Sequence, residues 1–179
     1  MLNLHAPYES IQSSYKPYFA ERIQRASKWK MTYKTEQNEI SCVDTFQQLY
    51  GDRMKGVKAT DWINIRKLIA FYFKQNRVFV RSVYAAHTGE KLASVLLLSG
   101  QGRLYNLMSS VTEQGKKMLA NYFLYNEVIR EFSGNSYILD FEGSDLPGVA
   151  YWYEKIANFN QPYFFLRYNH LPLIIRWLK

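Results

Sequence analysis

Two carboxylates stand directly after a short apolar run, in the segment Asp140-Phe141-Glu142-Gly143-Ser144. The apolar residues before them, Tyr137 to Leu139, predict a buried strand, and the glycine after them predicts a loop that a ligand can approach closely. Ligands usually bind at the C-terminal ends of strands in open sheets that combine strands with helices. Asp140 and Glu142 are two positions apart, so an extended strand would point both side chains to the same side. Neighbouring carboxylates can raise the pKa of one of the pair, which suits a general base.

The same two carboxylates also have a purely structural interpretation. They could cap the loop at Gly143 and Ser144, or they could form ion pairs with Arg103 or Arg167. Neither arrangement would need a ligand, and the sequence leaves both interpretations open.

The composition indicates one domain over residues 1–179 with a basic surface. The chain has 179 residues, of which 47% are hydrophobic, and this is enough for one well-buried core but too little for two domains of ordinary size. The formal net charge is +8, which favours contact with polyanions such as tRNA or with phosphorylated ligands. Basic residues that only keep the protein in solution would explain the same charge.

The cysteine and histidine content excludes several kinds of site. The single cysteine, Cys42, excludes an intrachain disulfide and a cysteine-based zinc site, and we interpret it as a packing residue. His5, His87 and His170 have neither metal-like nor triad-like spacing, so no metal site is predicted. The chain shows no signal-like N-terminus and no apolar run of about 18 residues, which together indicate a cytoplasmic protein.

Helical and alternating spacings predict a mixed α/β fold that would position the Asp140 segment. Helical spacing begins at Tyr8 and again at Pro17, and the period changes to two at Arg77, where the sheet begins. The predicted strands cover residues 30–35, 77–84, 92–98, 103–111, 137–141 and 163–168, and the main predicted helices cover 8–15, 17–28, 43–54, 62–73, 113–132 and 171–179, with another closing near Tyr153. The long helix between strands 103–111 and 137–141 predicts a right-handed crossover with those two strands parallel.

Several segments of this pattern resemble the GNAT superfamily of N-acetyltransferases. The segment Tyr153-Glu154-Lys155-Ile156-Ala157-Asn158-Phe159 is similar to the closing motif of these enzymes, although Ala157 stands where the family usually has glycine. Asp140 to Ser144 with Pro147-Gly148-Val149 resembles the version found in bacterial Fem-like relatives, and Asn169-His170-Leu171-Pro172 resembles the tail of Bacteroidetes-type members. The resemblance implies a GNAT-like fold, with an antiparallel meander before a β-α-β crossover. It also implies transfer of an acyl group to an amine of a small molecule or peptide.

The resemblance further implies which residues would hold the acyl donor, acetyl-CoA or another acyl-CoA. In GNAT enzymes the end of the third meander strand grips the pantetheine arm, and a helix N-terminus with a glycine-rich loop binds the pyrophosphate. The matching residues are Ser109, Ser110, Val111, Gln114, Gly115, Lys116, Lys117 and Asn121. The proton transfers would fall to Glu142 as base and Tyr153 as acid, with Asp140 beside the base.

Departures from the family pattern leave other functions open. Glu113 places a carboxylate where phosphate should bind, and Lys116 with Lys117 could form a helix-surface pair instead of holding phosphate. Fem-like relatives take their acyl group from a charged tRNA, and they often consist of two tandem halves. The chain could therefore use acyl-CoA or aminoacyl-tRNA, or it could be a non-catalytic GNAT-like half that binds a second half or a second copy of itself.

Overall fold

A computed structural model of the chain describes residues 1–143, 147–162, 164 and 166, which contain one six-stranded sheet flanked by helices. The strands are β1 (Leu2–Asn3), β2 (Met31–Thr35), β3 (Val78–Ala85), β4 (Lys91–Gly100), β5 (Arg103–Val111) and β6 (Ile138–Asp140). The helices are α1 (Tyr8–Ser13), α2 (Pro17–Ala26), α3 (Ser41–Tyr50), α4 (Ala59–Phe73), α5 (Glu113–Lys117), α6 (Ala120–Phe132) and α7 (Pro147–Tyr153), and a 3-10 turn covers Gly51–Arg53. Of the strand predicted at 163–168, the structure describes only Phe164 and Leu166, and neither is assigned to a strand. The helix predicted at 171–179 lies outside the described residues. None of the described helices is long and apolar enough to cross a membrane.

One parallel pair of strands interrupts an otherwise antiparallel sheet. The spatial order is β1-β6-β5-β4-β3-β2. β5 and β6 run parallel, and every other neighbouring pair is antiparallel. β3, β4 and β5 form the predicted meander, and the chain then reaches β6 through α5 and α6. The predicted α/β class, an antiparallel meander followed by a parallel crossover, is confirmed.

β4 separates two apolar cores, as its nearly continuous apolar sequence predicts. On one face, Val95 and Leu97 belong to the core that includes the buried side chains of α6. On the other face, Leu96 belongs to a core with residues of α3 and α4. Cys42 of α3 is fully buried in this second core, and burial raises the pKa of its thiol to about 11. The cysteine is therefore a protonated packing residue, in agreement with the prediction.

Two residues at the start of the chain form an edge strand that the sequence does not reveal. Leu2 and Asn3 pair antiparallel with β6, and the N–H of Leu4 donates to the carbonyl oxygen of Tyr137 at 3.0 Å. A strand of two residues is too short to show the alternation by which strands are recognised. β6, which carries Asp140, therefore has a paired strand on each side.

The single long helix predicted over residues 113–132 is wrong, because the chain forms two helices there. Leu119 adopts a left-handed φ of 57° between α5 and α6. α5 packs closely on β4, whereas α6 packs on α2 and across the sheet. These two packing directions require a break, and it falls at residues 118–119, where no glycine or proline marks it in the sequence.

A buried arginine connects α6 to the outer strands of the sheet. Arg81 of β3 is only 6% exposed, and its Nε donates to the carboxylate of Glu131 in α6 at 2.8 Å. The hydroxyl of Tyr33 in β2 donates to the same carboxylate at 2.6 Å. Burial acts to raise the pKa of Glu131, but the hydrogen bonds from Arg81 and Tyr33 outweigh it and hold that pKa below its usual value. The ionised carboxylate is therefore the form that stabilises the folded chain.

We expect Glu131→Gln to lower the free energy of unfolding by about 3 kcal/mol at neutral pH, because it leaves a buried arginine without its counter-charge. The folded-state pKa is depressed, so the contribution of Glu131 is present above its usual value of 4.5 and is lost as the pH falls through the lower folded-state pKa. Urea titrations at several pH values measure both effects. Glu21→Gln, which breaks an exposed ion pair with Arg25, is the control and should cost less than about 1 kcal/mol. Equal stability of wild type and Glu131→Gln at neutral pH would contradict the prediction.

Candidate active site

β5 and β6 pair over only three residues and then part. The parallel pairing joins Arg103–Tyr105 to Ile138–Asp140, and beyond it β5 continues to Val111 without a β6 partner. A cavity of about 730 Å³ opens at this split. Its walls come from the second half of β5, the segment that follows β6, the end of α3 with the 3-10 turn after it, α5, the first half of α6, and α7. The C-terminal end of β6 thus borders a cavity, as the sequence predicts.

A β-bulge in β5 affects which backbone groups face this cavity. Leu107 is an extra residue in the register of β5 with β4. Beyond the bulge, the N–H of Thr112 donates to the carbonyl oxygen of Leu92 in β4, at 2.9 Å. Backbone groups alternate in direction along a strand, so those of Val111 and Ser109 point away from β4 and into the split.

The two carboxylates at the end of β6 have different surroundings. Glu142 lines the cavity, whereas Asp140 accepts a hydrogen bond from Arg103 at 3.0 Å and another from the backbone N–H of Glu142 at 3.3 Å. Glu142 and Gly143 have left-handed φ values of 53° and 68°. The chain is therefore not extended here, and the geometry that would have placed both carboxylates on one side is not formed. Asp140 makes both structural contacts considered above, a loop cap and an ion pair, while Arg167 and Ser144 lie outside the described residues.

The surroundings of Glu142 favour its protonated form more than water does. Partial burial raises the pKa of Glu142 above its usual value, and the negative charge of Asp140 raises this pKa as well. The positive charge of Arg103 acts in the opposite direction. A carboxylate whose pKa is raised takes up a proton more readily, which is the property that a general base needs.

Tyr153, the last residue of α7, is held in a network of buried polar groups. Nδ2 of Asn106 donates to the hydroxyl oxygen of Tyr153 at 2.5 Å and to that of Tyr125 at 2.8 Å. The two tyrosine hydroxyls lie 3.2 Å apart. The ring of Tyr153 stacks on Phe141, with centroids 4.6 Å apart. These contacts fix the hydroxyl of Tyr153 at the wall of the cavity.

With the amide of Asn106 oriented so that Nδ2 faces the tyrosines and Oδ1 is buried without a partner among the described residues, the network leaves one hydroxyl proton free for a ligand. Nδ2 of Asn106 has two hydrogens, which the two tyrosine oxygens accept at short range and which the carbonyl oxygen of Phe141 shares at 3.3 Å. One tyrosine hydroxyl can then donate to the other. Tyr125 is the buried member of the pair, with 2% of its surface exposed, so it is placed to donate to Tyr153. The hydroxyl proton of Tyr153 can then point away from the network and into the cavity that Tyr153 lines.

The residues predicted to hold a donor divide into two groups in the structure. Those that line the cavity are Ser109, Ser110, Val111, Lys116 and Asn121. Those that do not line it are Gln114, Gly115 and Lys117. Lys117 instead lines a separate, smaller cavity of about 290 Å³ beside the end of α2. The third meander strand thus meets the cavity as expected, and most of the predicted phosphate-binding segment does not.

Gly115 is a packing residue and not the flexible loop glycine expected from the sequence. It lies within α5, and its N–H donates to the hydroxyl of Thr112, which caps the helix, at 3.0 Å. A Cβ at this position would lie 2.1 Å from the carbonyl oxygen of Leu92. Lys116 pairs with Glu113 at 2.5 Å on the helix surface. The N–H of Gly115 and the space beside it are therefore already in use within the fold.

Solved structures of similar architecture identify the fold. FemX is similar with a TM-score of 0.65 and 12% sequence identity, over 87% of this chain and 56% of FemX. A conserved protein from Bacteroides thetaiotaomicron VPI-5482 is similar with a TM-score of 0.62 and 10% identity, over 84% of this chain and 53% of that one. A possible acetyltransferase from Clostridium difficile 630 is similar with a TM-score of 0.52 and 16% identity, over 79% of this chain and 99% of that one. The chain has a GNAT-like fold.

These structural similarities establish the fold of the chain and not its reaction. The chain spans about half the length of FemX and of the Bacteroides protein, and nearly all of the Clostridium protein. No protein-family model matches the sequence, and no curated protein sequence matches it.

Three residues of the site were missed by the reasoning from sequence. Asn106 stands in an otherwise mostly apolar stretch of β5, and a polar residue buried in a strand is the signal that could have found it. Tyr125 has the spacing of a core residue on α6, and only its contact with Asn106 distinguishes it. Tyr50 comes from α3, and its hydroxyl meets Val111 at the end of β5. No local pattern connects residues so far apart in the chain.

We expect Gly115→Ala to destabilise the GNAT-like domain by about 2 kcal/mol, because the added Cβ would overlap the carbonyl oxygen of Leu92 and push α5 away from β4. Gly148→Ala is the matched control, since nothing lies within 4 Å of a Cβ at this position in α7 and alanine favours a helix. Chemical denaturation of the three proteins measures the difference. A Gly115→Ala variant as stable as wild type would show that α5 does not need the glycine.

Proposed function

We propose that this GNAT-like domain transfers an acyl group to an amine in the cavity where β5 and β6 part. The observation that carries the proposal is that Glu142, a carboxylate with a raised pKa, and Tyr153, a tyrosine with a hydroxyl proton to donate, line the same cavity. Ser109, which presents backbone groups of β5, lines it too. A base, an acid and an edge that holds the donor are the parts that this reaction requires.

Each side chain has one proton to move. Most amines are protonated at neutral pH and first lose one proton to water, because only the free amine can attack a carbonyl carbon. Attack leaves on the amine nitrogen a second proton that the amide cannot keep, and Glu142 takes this proton. A bond forms between the amine nitrogen and the acyl carbon, and the bond from that carbon to the leaving atom of the donor breaks. Tyr153 gives its proton to the leaving atom. The proton on Glu142 returns to Tyr153 through water, and the products are an amide and a free thiol or alcohol.

An acyl-CoA, with acetyl-CoA as the simplest example, is the donor that we propose first. Its pantetheine arm is an extended chain with two secondary amides, and such a chain suits the exposed backbone of β5 at Ser109. The cavity volume of about 730 Å³ is within the range of small-molecule sites, roughly 300–1,000 Å³. Arg53 and Lys116 also line the cavity. Arg53 supplies positive charge for phosphates, whereas the charge of Lys116 is already paired with Glu113.

A charged tRNA is the second donor, and the packing of Gly115 favours it. α5, which would hold the pyrophosphate of an acyl-CoA, is capped by Thr112 and carries Glu113 in its first turn. An aminoacyl-tRNA has no pyrophosphate to place there, and the net charge of +8 would attract its phosphates. Glu142 and Tyr153 would move the same protons, with a ribose hydroxyl as the leaving group.

We expect acetyl-CoA and free CoA at millimolar concentration to raise the unfolding temperature of the purified chain. A ligand at 100 times its Kd adds about 2.7 kcal/mol of stability, which corresponds to roughly 5–10 °C for a domain of this size. Thiol release from acetyl-CoA in the presence of a panel of small amines and lysine-containing peptides measures transfer in parallel. A chain that neither binds CoA nor releases thiol would exclude the first donor, and transfer from aminoacyl-tRNA would then be measured. Failure of both donors would leave a non-catalytic half.

Two variants separate binding from chemistry in the same experiment. Glu142→Gln and Tyr153→Phe should keep the rise in unfolding temperature, because the backbone of β5 is unchanged, and should lose about 100-fold or more in transfer rate. Tyr151→Phe is the control, since Tyr151 lies on the same helix with 64% of its surface exposed and should transfer at the wild-type rate. Normal transfer by either active-site variant would assign the reaction to other groups.

The pH profile of transfer tests whether Glu142 is the base. Asp140 raises the pKa of Glu142 and Arg103 lowers it. Asp140→Asn should therefore move the acid limb of kcat/KM to lower pH, and Arg103→Gln should move it to higher pH. An acid limb that stays at the wild-type position in both variants would mean that another group titrates.

A further inference from the structure

The hydroxyl of Tyr50 forms hydrogen bonds with backbone groups of β5 that face the cavity. Its hydroxyl lies 3.3 Å from the backbone nitrogen of Val111 and 3.3 Å from the carbonyl oxygen of the same residue. The hydroxyl accepts from the N–H and donates to the carbonyl, as a peptide group of a neighbouring strand would do. Tyr50 and Val111 both line the cavity. The free edge of β5 is therefore closed at Val111 by a side chain of the same molecule.

Tyr50 contacts the same backbone groups of Val111 that an extended ligand along β5 would use. The backbone of Thr112 is paired to the β4 side, so the groups of Val111 point into the split, and so do those of Ser109 two residues earlier. A chain of amides laid along β5 would bond at Ser109 and then at Val111, because alternate residues present their groups to the same neighbour. Tyr50 stands at the second of these positions.

The contact is long enough to be displaced. Both distances are 3.3 Å, whereas well-formed bonds measure about 2.7–3.2 Å for N–H donors and about 2.5–3.0 Å for hydroxyl donors. The ring of Tyr50 packs edge-on against Phe46 with centroids 5.2 Å apart, and the guanidinium of Arg53 lies 5.9 Å from its centroid. Tyr50 is the last residue of α3 and is only partly buried. Its side chain can move without opening the cores on either face of the sheet.

We propose that Tyr50 is a displaceable stopper on β5, and that a donor with an extended amide-bearing arm, such as the pantetheine arm of CoA, binds Val111 only after Tyr50 has left it. The proposal rests on the acyl-CoA donor proposed above. Tyr50 lowers the affinity for such a donor, because the donor gains at Val111 only the difference between its own hydrogen bonds and those of the phenol.

Calorimetric titration of wild type and Tyr50→Phe with CoA tests the proposal. The phenylalanine keeps the ring and removes the hydroxyl, so CoA should bind about fivefold more tightly to the variant. Adenosine 3′,5′-bisphosphate, which lacks the arm, should show no difference between the two proteins. Tyr72→Phe is the control variant, because Tyr72 lies on α4 and does not line the cavity, and it should bind CoA as wild type does.

Every other outcome of these titrations contradicts the proposed role of Tyr50. Equal or weaker binding of CoA by Tyr50→Phe would overturn it and leave the acyl-CoA donor in place. An equal gain for adenosine 3′,5′-bisphosphate would also overturn it, because the arm would then not be the group that competes with Tyr50. If neither protein binds CoA at millimolar concentration, both the stopper and the acyl-CoA donor are excluded.

Discussion

Backbone groups that lose their partner where β5 and β6 part must find another, and this requirement shapes the whole site. A buried N–H or C=O without a hydrogen bond costs about as much as the bond itself would contribute. Side chains meet this need on both sides of the split. Asn106 donates to the carbonyl oxygen of Phe141 at 3.3 Å on the β6 side, and Tyr50 bonds both backbone groups of Val111 on the β5 side. The cavity exists because the strands separate, and it is stable because side chains replace the missing strand pairing.

The same requirement divides the work of the two carboxylates. Asp140 accepts the N–H of Glu142, which has a left-handed φ that a non-glycine residue adopts only at a cost in free energy. Arg103 holds Asp140 in place from β5. Asp140 therefore fixes the loop that presents Glu142 to the cavity and, through its charge, raises the pKa of Glu142. Asp140 therefore serves both purposes from the same place: it supports the loop, and its charge acts on the proposed base Glu142.

The sequence patterns predicted the strands and their order, which depend on local sequence. The edge strand, the helix break and the polar network depend on long-range contacts and were not predicted. Alternation and apolar runs predict the meander and the parallel crossover, because strand burial is recorded in each strand's own residues. The edge strand at Leu2 and the break at Leu119 could not be predicted, since each depends on what the segment packs against. Gly115 illustrates the limit of residue type: the sequence shows a glycine, and only the carbonyl of Leu92 beside it shows that the glycine serves packing. The link from Asn106 to Tyr153 spans 47 residues and leaves no spacing to detect.

Backbone groups that already form hydrogen bonds within the fold contribute little to the selectivity between donors. A donor laid along β5 replaces a hydrogen bond that Tyr50 already makes at Val111, so the net gain there is small. The N–H of Gly115 is likewise taken by Thr112. A donor would therefore gain most from the parts of the cavity where no internal contact has to be broken, near Glu142 and the hydroxyl of Tyr153. These are the residues closest to the proposed chemistry, so discrimination between donors would be concentrated at the acyl end and not along the arm.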